Sequence, residues 1–265
     1  MKKINIEYLN PFGAGILCGT LPDDLLKNFQ DLSKEVLKEK TTAWNYQLVG
    51  RIQDEWKIPH LLYRDYNLEN FLDGAFHKYV ESYYHNFKRI LNLAVRHPQE
   101  KVDSHDFNIV IDRGDGWVNS MEEGEYNPTH QHTNCDLSSI FYLDEYQGDK
   151  PRDFKRKDVN MDGNSDLGGV TEFLLGSTMN GVIPKRTGPN TMTAGTGFPQ
   201  MTHFNVKPKK GDFMIFPNWL LHSVYPFIGK GRRITISVNA SYKIDVSDDM
   251  ILNYAVKQDM GNLKK

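Results

Sequence analysis

Apolar residues recur every three or four positions in two early stretches and then switch to alternation, so the chain predicts helices first and strands after. Leu25, Phe29, Leu32, Val36 and Leu37 follow Leu21-Pro22-Asp23-Asp24, where a proline and two acids suit the exposed N–H groups of a first helical turn. This helix is predicted to end near Lys40. Leu72, Phe76, Tyr79, Tyr83, Phe87 and Ile90 form the apolar stripe of a longer helix over residues 68–93. Ile4 to Gly19 reads as a short strand and loop, and residues 41–66, with Trp44, Trp56 and Pro59, follow no single period.

From Asp106 the period becomes two. Strands are predicted at Phe107–Ile111, Trp117–Met121, Leu137–Leu143, Gly168–Leu175, Phe204–Val206, Asp212–Phe216 and Ile234–Tyr242. Short strands with turn signals between them point to a sandwich or barrel, with the helices packed outside it. The expectation is a mainly β fold with flanking helices in one domain over residues 1–265: a helical portion over 1–105 and a β core over 106–245. Residues 176–203 carry five glycines and three prolines. So long a loop inside a domain is a candidate lid or a plain disordered excursion.

Composition narrows the function. Of the 265 residues, 39% are hydrophobic and 12% aromatic, which is enough for a sizeable core, and the net charge is -2. Near-neutral charge without an aromatic-basic stripe weighs against nucleic acid. The basic run Lys150–Lys157 is interleaved with Asp153 and flanked by Asp149 and Asp158, and reads as a solvated loop. Two cysteines, Cys18 and Cys135, make neither a zinc spacing nor a disulfide framework. No apolar run has the roughly 20 residues of a spanning helix. With no signal-peptide pattern at Met1–Asn5, the expected place is a reducing cytoplasm, a host's if the gene is a phage's.

Candidate chemistry concentrates in His130-Gln131-His132, answered later by His222 and then by Arg233. Two histidines at i and i+2 on a strand face the same way and can reach one ion. Arg233 opens a strand on which Thr235, Ser237 and Asn239 share its face. A planar guanidinium binds a carboxylate through two hydrogen bonds, and Thr235 can add a hydroxyl to the same carboxylate. Either Arg232 or Arg233 points inward, but not both, and Arg233 is the choice. Asn119, Tyr126 and Trp219 are candidate pocket walls or ordinary sheet and core residues. His77, His85, His97, His105 and His203 lack such company, and Cys135 lacks the second thiol a sulfur site needs.

These residues resemble a family. Gly124-Glu125-Tyr126, the His130/His132 pair, Leu137–Leu143, Gly211–Pro217, His222-Ser223-Val224-Tyr225-Pro226 and Arg233–Asn239 are similar to the 2-oxoglutarate/Fe(II)-dependent dioxygenases, in a bacterial and phage branch related to the prolyl hydroxylases. The resemblance spans residues 106–240. It implies a double-stranded β-helix, or jelly roll, with Fe(II) near its open end. It also implies 2-oxoglutarate as co-substrate, whose oxidation by O2 yields succinate and CO2 while a C–H bond of a peptide or small molecule is hydroxylated. By position, His130 and His222 match the histidine ligands, Arg233 the carboxylate clamp, and Tyr142 a tyrosine that donates to the same carboxylate. The chain departs at His132, where the family has Asp or Glu. Either all three imidazoles bind the metal, or Asp136 supplies the carboxylate. Two other classes stay open: a three-histidine, cupin-like dioxygenase that needs no 2-oxoglutarate, and a non-catalytic jelly-roll binding or structural protein.

Overall fold

The change of period near residue 108 is the change from helix to sheet. The computed structural model describes residues 6–9, 15–95, 108–144, 147–148, 168–175, 185–188, 191–193 and 203–245. The N-terminal part runs β1 (Ile6–Leu9), β2 (Ile16–Thr20), α1 (Asp23–Glu39), β3 (Thr42–Ala43), β4 (Asp54–Lys57), α2 (His60–Asp65) and α3 (Glu69–Val95). Then follow β5 (Asn108–Met121), β6 (Asn127–His130), β7 (Leu137–Asp144), β8 (Gln147–Gly148), β9 (Thr171–Leu174), β10 (Lys185–Gly188) and β11 (Thr191–Thr193). The last strands are β12 (His203–Val206), β13 (Asp212–Pro217), β14 (Leu221–Val224), β15 (Gly229–Lys230) and β16 (Arg233–Asp245).

Two sheets carry the architecture. The larger has the order β1-β2-β13-β7-β16-β5-β4-β3 and the smaller β12-β9-β14-β6. Every pairing in them is antiparallel. From β5 to β16 the chain passes between the sheets, so that β13-β7-β16-β5 faces β12-β9-β14-β6. That winding is a double-stranded β-helix, as expected, extended at one edge by β2 and β1 and at the other by β4 and β3.

Alternation assigns the two faces of the larger sheet. Phe141, Phe213, Ile236 and Val238 point outward and pack with Phe29, Leu32 and Val36 of α1 and Leu72 and Phe76 of α3. Phe29 stacks on Phe141 with ring centroids 4.6 Å apart. Ile140, Tyr142, Met214 and Phe216 point inward and pack with Phe173 and Leu220. With helices on one face and the barrel interior on the other, β7 is buried from Leu137 to Leu143, which explains its unbroken apolar and small-polar run.

Three readings need correction. Ile4–Gly19 holds two strands rather than one, pairing as a hairpin. The aperiodic 41–66 stretch contains β3, β4 and α2. The two strands read at 107–111 and 117–121 are one, β5, which β16 pairs almost throughout with a register shift at Val238/Ala240. Arg113-Gly114-Asp115-Gly116, left between the two predicted strands, lies inside β5, where a Cβ on Gly116 would lie 2.0 Å from Tyr63 Oη of α2. Most of the candidate lid, the Lys150–Lys157 run, His97 and His105 lie outside the described residues, as does the side chain of His203. Among the described residues no helix is long and apolar enough to cross a membrane.

Candidate metal centre

β6 and β14 are neighbours in the smaller sheet, and His130 and His222 are register partners across them. Their rings lie 4.2 Å apart between centroids. His132 arrives differently from the sequence expectation. β6 ends at His130, so His132 is not the next same-face residue of a strand. Its backbone N–H donates to Asn218 O at 2.9 Å, and Asn218 Nδ2 donates to its carbonyl at 3.3 Å. Trp117 stacks on the imidazole at 5.6 Å. The chain after β13 therefore presents His132 to the other two rings.

Each Nδ1 faces an oxygen acceptor: Pro128 O at 2.7 Å from His130, Leu220 O at 2.9 Å from His222 and Asn239 Oδ1 at 2.9 Å from His132. Ser138 Oγ also lies 3.2 Å from His132 Nδ1. These contacts put the imidazole proton on Nδ1 and leave Nε2 with a lone pair. His132 Nε2 and His222 Nε2 are 3.3 Å apart. One potential ligand atom from each of the three histidines lies within 4.8 Å of the others. Lone pairs so close repel one another unless a cation sits between them. The spacing fits adjacent positions on one metal ion, about 3.0–3.4 Å apart for metal–nitrogen bonds of about 2.1 Å. Burial, the largest cause, holds all three below the usual imidazole range, His132 down to about 4 and His222 well below 6.5. Mutual repulsion adds to this for His132 and His222. Neutral imidazoles are the form a divalent metal takes. The residues present therefore fit a metal ion.

Asp136 stands outside this group. Its side chain is exposed, and its Oδ2 accepts the Tyr242 N–H at 3.1 Å. Cys135 is buried, and burial pushes its thiol up to about 11, so it offers no thiolate.

At the start of β16, Arg233 is 4% exposed. Its Nε donates to Gly169 O at 3.1 Å and its Nη2 to Thr171 Oγ1 at 3.2 Å, and the guanidinium lies 5.2 Å from the centre of the Tyr142 ring. The Tyr142 hydroxyl is engaged by Thr171 Oγ1 at 2.8 Å, so Tyr142 packs beneath the arginine. Arg232 turns to the other face and binds Asp54, Ser120 and Glu122. A cavity takes its walls from the three histidines, Arg233, Thr235, Ser237 and Asn119. A wider cleft shares His130, His132 and Trp117 with it and adds Trp44, Asp115 and Asn239.

Residues 115–239 match the model of the family described as "Putative 2OG-Fe(II) oxygenase". The matched stretch is just under half of the chain and holds the three histidines and Arg233. Among solved structures the chain is similar to a Pseudomonas putida prolyl-4-hydroxylase, at 16% identity over 85% of this chain and 92% of that one, TM-score 0.41. It is also similar to a viral collagen prolyl hydroxylase from Paramecium bursaria Chlorella virus-1, at 14% identity over 85% and 94%, TM-score 0.34. HygX from Streptomyces hygroscopicus, solved with nickel, 2-oxoglutarate and hygromycin B, gives 14% identity over 88% and 84%, TM-score 0.41. No curated protein sequence matches the chain.

Sequence reasoning missed several neighbours of the three-histidine centre. Asn239 was placed on the Arg233 face but not recognised as the acceptor for His132, and Ser138 and Trp117 gave no signal. Trp219 is 50% exposed and Tyr126 40%, so neither is core, and neither lines the two cavities. His77 and His85 lie on the exposed side of α3.

Proposed function

We propose that this chain is an Fe(II)- and 2-oxoglutarate-dependent oxygenase that holds Fe(II) through Nε2 of His130, His132 and His222 and binds 2-oxoglutarate in the adjoining cavity, with its far carboxylate on Arg233 and Thr235. Its substrate, a peptide or small molecule, enters by the wider cleft and is hydroxylated at a C–H bond, with succinate and CO2 released. Bound iron supplies the activation of O2, coupled to oxidation of the keto acid. The chain's own residues do the rest. Pro128, Leu220 and Asn239 fix the tautomers that turn three lone pairs to one point. Trp117 and the burial of His222 keep bulk water from the centre. Arg233 and Thr235 give a dicarboxylate one orientation.

The observation that carries this reading is that three converging imidazoles and a buried guanidinium open on the same cavity. It is tested by 2-oxoglutarate binding to the Mn(II)-loaded protein without oxygen, and by succinate release with Fe(II) and O2. Wild type is expected to do both. Arg233→Ala should lose 2-oxoglutarate affinity while keeping the metal, and His222→Ala should lose the metal. A metal-loaded protein that ignores 2-oxoglutarate would sink the proposal.

One observation favours a second reading: an imidazole stands where the common facial set has a carboxylate. A three-histidine dioxygenase would consume O2 with its substrate in the strict absence of 2-oxoglutarate, and that measurement separates the two.

A further inference from the structure

Behind the inner cavity four polar atoms are buried with no hydrogen-bond partner among the described residues: both carboxyl oxygens of Glu55 and the amide oxygens of Asn119 and Asn127. They are neighbours. Glu55 on β4 is in register with Asn119 on β5, and Asn119 with Thr235 on β16, so the three side chains share one face of the sheet. A Cβ on Gly50 would lie 3.2 Å from Glu55 Oε1 and 3.4 Å from Asn127 Oδ1, which brings these two into the same small space. Every orphaned atom is an acceptor. Buried polar atoms are seldom left unpaired, so the cluster calls for a proton.

Glu55 is the group that can carry one. It is 1% exposed, and burial, helped by the charge of Glu125, pushes its carboxyl up to about 8. The charged groups on the elements around it are Glu122 and Glu125 after β5, Arg51 in the preceding loop, Asp54 and Lys57 on β4, Arg232 just before β16 and Arg233 at its start. Lys57 is paired with Asp115 at 2.6 Å, Arg232 with Asp54 and Glu122, and Arg233 donates to Gly169 and Thr171. Arg51 is exposed to solvent.

Resting on the reading that this cavity takes 2-oxoglutarate, we propose that Glu55 is a positioning residue: it keeps its proton, donates it to Asn119 Oδ1, and so turns Thr235 and Ser237 into donors facing the co-substrate. Asn119 Nδ2 lies 3.3 Å from both Thr235 Oγ1 and Ser237 Oγ and donates to each. A hydroxyl that accepts in this way keeps its own O–H for another partner. Both hydroxyls line the cavity with Arg233, so both can donate to an anion there. The second Glu55 oxygen takes a hydrogen from Asn127 when that amide presents its NH2. If Glu55 ionises, Asn119 turns its NH2 to the carboxylate and its oxygen to the hydroxyls. Thr235 and Ser237 then donate outward and show lone pairs to the cavity, which opposes a carboxylate.

The test pairs two measurements. Infrared spectra of the wild type should show the C=O stretch of a neutral carboxylic acid near neutral pH, lost at high pH and absent from Glu55→Gln. Calorimetry of 2-oxoglutarate binding to Mn(II) protein, without oxygen, between about pH 6.5 and 9.5 should show wild-type affinity falling about tenfold through the Glu55 titration. Glu55→Gln, whose NH2 still donates, should hold the neutral-pH affinity across the range, and Glu55→Ala should bind more weakly throughout with no inflection. Parallel profiles for wild type and Glu55→Gln, or no neutral-acid band in the wild type, overturn the role of Glu55 alone. A wild type that binds no 2-oxoglutarate at any pH overturns the function proposed above as well.

Discussion

At the residue scale, the centre depends on which ring nitrogen carries the proton, and oxygen atoms outside the cluster decide that. His130 and His222 lean on backbone carbonyls that no substitution removes, whereas His132 leans on a side chain, Asn239, at 2.9 Å. Asn239→Ala should therefore weaken Mn(II) binding by about 10- to 100-fold, read by calorimetry, while leaving the fold intact. Ser138 Oγ, at 3.2 Å, is the other oxygen near that nitrogen, and an undiminished affinity would mean that it suffices. Glu55 makes a second prediction at this scale, independent of any ligand. Its ordinary value is 4.5 and its folded value about 8, so between these the folded protein binds more protons than the unfolded chain. Stability then falls as pH rises from 4.5 to about 8 and levels above it. Glu55→Gln removes this penalty and should stabilise the protein by up to roughly 3 kcal/mol at pH 7, with no gain below about pH 4.5. Urea denaturation at several pH values checks the sign.

At the element scale, β5 shows what a sequence can and cannot display. The two strands expected at 107–111 and 117–121 are one, which runs through Gly116 where α2 lays Tyr63 against it, a contact between residues 53 positions apart that no local pattern announces. Gly116→Ala should cost about 1–3 kcal/mol in urea denaturation, and Tyr63→Phe in the same chain should recover part of it by removing the hydroxyl. If the two substitutions are additive, the close approach is not what selects glycine. The longer elements, α1, α3, β7, β13 and β16, were legible because each carries a strong period or an unbroken buried run. The pairing of His130 with His222 was legible only as residue types in order, since register across β6 and β14 is a tertiary fact. His132 was legible as a candidate for the wrong reason: strand alternation, where the structure uses a loop held by Asn218. Glu55 had no signature, because a lone acid in Asp54-Glu55-Trp56-Lys57 looks like any exposed strand residue until β5 and the Gly50 loop cover it.

At the scale of the whole molecule, α1 and α3 share one core with the outer face of the larger sheet, while the cavities lie on its inner face. We infer that helical portion and barrel unfold together, so far-UV circular dichroism and tryptophan fluorescence should give coincident transitions. The cavity then couples its two ligands through that single transition. A dicarboxylate that chelates the metal at one end and meets Arg233 at the other gains most of its affinity only once the metal is in place, and reciprocity requires that it tighten the metal in turn. Each ligand at about 100 times its dissociation constant adds about 2.7 kcal/mol of stability. Thermal denaturation should accordingly rise with Mn(II) alone, change little with 2-oxoglutarate alone, and rise with both by more than the two separate shifts combined. Arg233→Ala should keep the Mn(II) shift and lose the excess. Independent, additive shifts would place the dicarboxylate away from the histidines, and with that the three imidazoles and the guanidinium would no longer serve one reaction.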